Sequence, residues 1–83
     1  MKIGQIVFSK KGRDKGYALI VIAVESEYVF LADGLVRPLI KPKKKKLRHV
    51  QPTNTVVDLT AVTGGLKDAD IRKMLALFIE QSR

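Results

Sequence analysis

The chain has no cysteine and no tryptophan, a single histidine and three prolines, and aromatic residues make up only 6% of it. Without cysteine there is no disulfide, no thiolate metal site and no thiol nucleophile, a composition that fits a reducing compartment. No apolar run approaches the ~18 residues of a membrane span. The N-terminal MKIGQIVFSKKGRDKG has neither the apolar stretch nor the small-residue cleavage site of a signal peptide. The expectation is a cytoplasmic protein with no membrane segment. Carboxylates are also scarce, eight in all, and the lone His49 has no acidic neighbour in sequence. Asp68 and Asp70 suit the acidic start of a helix better than a catalytic dyad. No enzyme, cofactor or metal site is expected.

What is abundant is positive charge. Sixteen Lys and Arg against eight Asp and Glu leave a net charge of +8 and a pI near 10.1. The surplus is confined to residues 1–53, which hold twelve basic and four acidic side chains, whereas residues 54–83 hold four of each. Such asymmetry points to a polyanionic partner, nucleic acid before anionic membrane. Eighty-three residues with 46% hydrophobic content suffice for one small core, burying roughly 60% of the surface that the unfolded chain exposes.

Residues 3–8 (IGQIVF), 17–24 (YALIVIAV) and 27–32 (EYVFLA) read as short strands rich in β-branched and aromatic residues. The second is apolar on both faces and so reads as the most buried. Residues 25–26 make the turn between the second and third. Asp33-Gly34 suits a tight hairpin, after which residues 35–40 (LVRPLI) resume an extended path, demoted by Pro38 to an edge strand or bulge. Residues 41–46 are a basic run, and 46–50 (KLRHV) form a last strand. Pro52 and the Gly64-Gly65 pair mark a connection, with TVVDLTAV partly extended. In residues 68–81 the apolar positions Ile71, Met74, Leu75, Phe78 and Ile79 fall at spacings of 0, 3, 4, 7 and 8, one stripe of an amphipathic helix. Leu66 and Ile71 sit five apart, as a hydrophobic staple across Lys67 requires; lysine caps poorly, so Asp68 takes that role and Asp70 complements the helix dipole. The organisation expected is a small β-barrel over 1–53, a connection over 54–67 and a helix over 68–83 that packs on the barrel or on a partner.

Gly4-Gln5-Ile6-Val7, then Gly12-Arg13-Asp14-Lys15-Gly16 and an apolar strand, resemble the KOW motif of RNA-binding proteins. Over residues 2–53, through the stretches GQIVFSKKGRDKGY, VFLADGLVRP and KKLRHVQPT in that order, the chain resembles within that family the large-subunit ribosomal protein family numbered fourteen of archaea and eukaryotes with its short bacterial relatives. The resemblance implies a mainly β fold, a small SH3-like barrel, that binds structured RNA, foremost ribosomal RNA of the large subunit. The neutral C-terminal part and the lack of long basic extensions depart from a full ribosomal protein, and leave a constitutive ribosomal component and an associated factor both open.

The residues themselves support phosphate binding. Residues 9–16 place Lys10, Lys11, Arg13 and Lys15 beside Gly12 and Gly16, which let backbone amides approach a phosphate closely. Asp14 reads as a turn-shaping side chain bonded to the loop backbone. The second run adds Lys41, Lys43, Lys44, Lys45, Lys46 and Arg48. Each neutralised phosphate releases a counterion, so six contacts give a log–log salt slope of about −4 to −5. Contact with shape and backbone should dominate over reading of base edges. Against this stand plainer readings: solvated turns, or a nuclear localisation signal in KPKKKKLR. Arg37 fits equally a phosphate contact and an edge-strand charge that blocks pairing. His49 reads as a packed strand residue or an RNA contact. Phe8, Tyr17, Tyr28 and Phe30 alternate with aliphatic residues and read as core, with Tyr17 at a loop edge able to stack on a base. A rival function is a protein-interaction module that exposes the Phe78/Ile79 stripe for docking or dimerisation.

Overall fold

A computed structural model describes residues 1–82 as five antiparallel strands and one C-terminal helix. The strands are β1 (Gln5–Ser9), β2 (Ala18–Glu25), β3 (Tyr28–Ala32), β4 (Lys43–Lys46) and β5 (Val50–Val56), in the sheet order β4-β3-β2-β1-β5. The first and last strands of that order, β4 and β5, are joined by a single 3-10 turn, Leu47–His49. Two edges linked by three residues force the sheet to curl into a small, partly open SH3-like barrel in which β4 and β5 remain edges. A second 3-10 turn (Leu59–Ala61) leads to α1 (Asp68–Gln81). Among the described residues no helix is long and apolar enough to cross a membrane.

The apolar stretches within β1 and β2 are explained by two separate cores, one on each face of the sheet. Val7, Leu19, Val21, Val29, Leu31 and Val50 fill the barrel interior, with Leu47 at its margin. Ile6 and Ile20, alternating with them, point outward and meet Ile71 and Leu75 of α1, with Met74 and Phe78 alongside. The helix therefore packs on the outside of its own barrel, along the stripe that its spacing defines. Ile6, Ile20 and Ile71 are fully buried, worth roughly 1.5–3 kcal/mol each relative to exposure. Phe8 joins the same face, its ring centroid 6.0 Å from that of Phe78.

Leu66 and Ile71 share this outer cluster, as the staple requires. The cap differs from expectation: the Asp70 carboxylate accepts from the backbone N–H of Lys67 at 2.9 Å, and Asp68 accepts from the backbone N–H of Leu39 at 2.7 Å. Asp68 thus ties the helix start to a barrel loop instead of capping its own turn. The seat is tight. Gly34 has φ +78°, and a Cβ there would overlap the carbonyl oxygen of Asp68, while Arg72 Nη1 donates to the Gly34 carbonyl at 2.6 Å.

Three other expectations change. Residues 35–40 are not extended. One carboxylate oxygen of Asp33 accepts from the backbone N–H groups of Leu35 and Arg37, both at 2.8 Å, and a local side-chain acceptor of this kind competes with sheet pairing. The basic run is mostly strand, because Lys43–Lys46 pair with residues 28–31 of β3. The last strand starts at Val50 and runs to Val56, three residues beyond the expected barrel end, and Val57 N–H still donates to the Gly4 carbonyl at 2.8 Å. Pro52 does not break β5, since β5 is an edge strand in the sheet order and the missing donor costs no ladder bond there. Arg83, included in the expected helix, lies outside the described residues.

Candidate nucleic-acid interface

The loop between β1 and β2 carries four of the expected cations, and its shape is fixed from several directions. Gly12 and Gly16 take φ values of +80° and +86°, in the left-handed region that favours glycine. The Ser9 hydroxyl donates to the Lys11 carbonyl at 2.8 Å. From outside the loop, Lys10 N–H donates to the His49 carbonyl at 2.8 Å, and Lys45 Nζ donates to the Lys11 carbonyl at 2.8 Å. Arg37 grips Asp14 through two donors, Nε at 3.3 Å and Nη2 at 3.1 Å. Lys10, Lys11, Arg13 and Lys15 project from this frame into solvent.

These tethers redistribute the roles read from sequence. Asp14 is only 6% exposed and spends its carboxylate on Arg37, twenty-three residues away, not on its own turn. Arg37 is neither a strand-edge charge nor a free cation, but the clamp between the loop after β1 and the loop after β3. Lys45, 8% exposed, is placed apart from its neighbours in the run. The pairing register explains why. Lys45 lies opposite Val29, an interior residue, and Lys44 lies opposite Phe30; side chains alternate along a strand, so Lys43 and Lys45 take the interior face and Lys44 and Lys46 the outer one. The stem of Lys45 covers the barrel rim while its ammonium reaches Lys11, the division of a long cation into apolar stem and polar head.

His49 is the point where the cations converge. It is partly buried, and its pKa is held below the ordinary histidine value first by desolvation and then by the charges of Lys11, Arg48, Lys46 and Lys45. Cations from the β1–β2 loop, from β4 and from the 3-10 turn thus act on one imidazole. With Lys10 bonded to its carbonyl, His49 links the loop to the turn. Lys41 and Arg48 are exposed and Lys43 is half-buried.

On the outer face a different group forms. Lys44 Nζ lies 4.5 Å from the ring centroid of Tyr28 and 5.8 Å from that of Phe30, within range of cation–π attraction. Neither ring belongs to the cluster under α1, so the core role read from sequence does not describe them; both are half-buried on a helix-free part of the sheet. In the string Tyr28-Val29-Phe30-Leu31 every position is apolar or aromatic, and alternation alone does not say which pair faces inward. Tyr17 is 67% exposed at the loop edge.

Asp68 and Asp70 are both engaged in the contacts of the helix start, and among the described residues no three His, Cys, Asp or Glu side chains gather as a metal site would need. Comparison with protein-family models and with curated proteins finds no match to this chain.

Proposed function

We propose that the chain is an RNA-binding protein of the KOW type that docks on folded RNA, foremost ribosomal RNA of the large subunit, and works without catalysis in the cytoplasm. The observation that carries this reading is the tethered loop after β1: Lys10, Lys11, Arg13 and Lys15 stand on a segment fixed by Lys45, Arg37 and the His49 carbonyl. A cationic loop already held in one shape clamps phosphates without first losing its own freedom. The outward Lys46 and Arg48 extend the positive surface around the turn, with Lys41 adding to it from the loop after β3. The order of the three KOW-like stretches supports the same reading.

Reversing Lys11, Arg13 and Lys15 to Glu should abolish binding to ribosomal RNA while leaving the fold intact, since all three side chains are exposed. Partial replacement of the three by Gln should weaken binding and flatten the log–log salt slope by about 2 to 3. Unchanged affinity in the reversed protein would sink the proposal. In lysate, the protein should sediment with the large ribosomal subunit at low salt and leave it as salt rises.

The rival protein-interaction reading now rests on Leu77 and Ile79, each about half exposed. Phe78 is committed to Phe8 and the outer core, so Phe78→Asp is expected to unfold the monomer instead of changing its association state.

A further inference from the structure

The geometry points to the outer face of β3 and β4 as a stacking platform for unpaired RNA nucleotides, with Tyr28 and Phe30 as the rings and Lys44 and Lys46 as the phosphate partners. It rests on the reading that the partner is RNA, and adds to that reading a single-stranded element at a second place on the barrel.

The site is built by register. Tyr28 pairs with Lys46 and Phe30 with Lys44, so each ring has a lysine beside it on the neighbouring strand. On the other flank, Phe30 lies opposite Ala23 and Tyr28 opposite Glu25. Ala23 is too small to cover Phe30, while Glu25 marks the acidic border of the patch and directs a phosphate backbone toward the β4 side. The register shift between Val21 and Ala23 sets Ile22 and Ala23 together opposite Phe30. The helix leaves these positions bare, because its cluster takes Ile6, Ile20, Ile71 and Leu75.

The chemistry selects the occupant. The ammonium of the exposed Lys44 covers the Tyr28 ring at 4.5 Å from its centroid, and an exposed cation–π contact of this kind is weak enough to be exchanged for a base. The freed Lys44 then meets the phosphate of the same nucleotide. Rings two residues apart on a strand are separated by about 7 Å, whereas stacked bases in a helix rise by about 3.4 Å. The two rings therefore match bases that have left a helical stack. A duplex offers no free base face here, which makes a single-stranded tail, bulge or loop the partner.

The test uses a blunt RNA duplex and the same duplex with a short oligouridine tail. The tail should raise affinity about tenfold, the scale of one to two stacked bases. Tyr28→Leu with Phe30→Leu should erase that gain without changing affinity for the blunt duplex, and Tyr28→Phe should keep it. Because the chain has no tryptophan and only two tyrosines, Tyr17→Phe leaves Tyr28 as the sole emitter. Its fluorescence should be quenched by the tailed probe and not by the blunt one, a readout that stands even where the double variant does not fold. A tail that adds nothing, a gain that survives loss of both rings, or unquenched Tyr28 overturns the inference. Reversal of Lys11, Arg13 and Lys15 separates the two readings: if it abolishes binding of the blunt duplex while the tail adds nothing, the loop stands and the platform falls. If blunt binding ignores the reversal while the ring-dependent gain persists, the loop falls and the platform stands. A wild-type protein that binds neither probe sinks both.

Discussion

The outer surface of the sheet is two surfaces side by side. On one half, Ile6 and Ile20 disappear beneath α1 and are fully buried. On the other, Tyr28 and Phe30 stay half-buried outside the helix cluster, with the Lys44 ammonium over the rings. Both halves are apolar and both belong to one sheet, the covered half on β1 and β2 and the other on β3, so hydrophobicity alone does not predict which one the helix chooses. The seat does: Ile6 and Ile20 meet Ile71 and Leu75, Phe8 meets Phe78, and the Gly34 seat with its Asp68 and Arg72 contacts fixes where the helix begins. The lesson is that one half of the face is spent on stability, while the other retains polar handles next to its rings.

Truncating each half in turn separates the two. Ile71→Ala should cost about 2–5 kcal/mol, which at roughly 4–8 °C per kcal/mol lowers the Tm of a domain this size by about 10 °C or more. Tyr28→Leu should stay within about 1 kcal/mol. Equal losses in thermal unfolding would show that the two halves do the same job. Arg37→Met falls between these two: it leaves the mostly buried Asp14 without its partner and should cost about 1–2 kcal/mol. Hydrogen exchange should then quicken in the loop after β1, and unchanged protection there would remove the clamp from the account of that loop.

The smallest expected effect is a pH dependence at His49. Its pKa in the folded protein lies below the unfolded value, so the unfolded state binds more protons. Stability is then fully present above about pH 6.5 and declines as pH falls toward the folded pKa. Bound phosphate has the opposite sign, since it offsets the charges of Lys11, Arg48, Lys46 and Lys45 and favours the imidazolium. RNA affinity should therefore rise between about pH 7.5 and about pH 5.5, and His49→Gln should flatten that rise. An identical profile in the variant would show that the imidazole faces no phosphate.

Much of the fold was legible because two physical signals were strong. The continuous apolar run of β2 reflects burial on both sides, and the spacing of Ile71, Leu75 and Phe78 reflects one helix face. The run Lys43–Lys46 defeated pattern reading for a simple reason: identical residues have no period, and lysine is uncommon in strands. Here the paired edge of β3 imposes the strand, and with it the difference between an inward Lys45 and an outward Lys44. The segment 35–40 misled in the opposite sense, because Leu, Val and Ile suggest a strand while the Asp33 carboxylate holds the backbone in a turn. The site was legible as a zone of charge but not as an arrangement. Nothing near Asp14 in sequence names Arg37, and nothing in four lysines marks the one that reaches Lys11.

The position of β1 between β2 and β5 has a consequence for synthesis. Of the five strands, the earliest made needs the latest made as its partner, since Gln5 pairs with Val56 and Ser9 with Val50. As the chain leaves the ribosome, β1, β2 and β3 have emerged well before β5, and until then one side of β1 keeps its hydrogen-bonding groups unpaired. An open strand of that kind is a template for other chains. The nascent protein is most exposed to wrong pairing in this interval, and the arrival of residues 50–57 ends it.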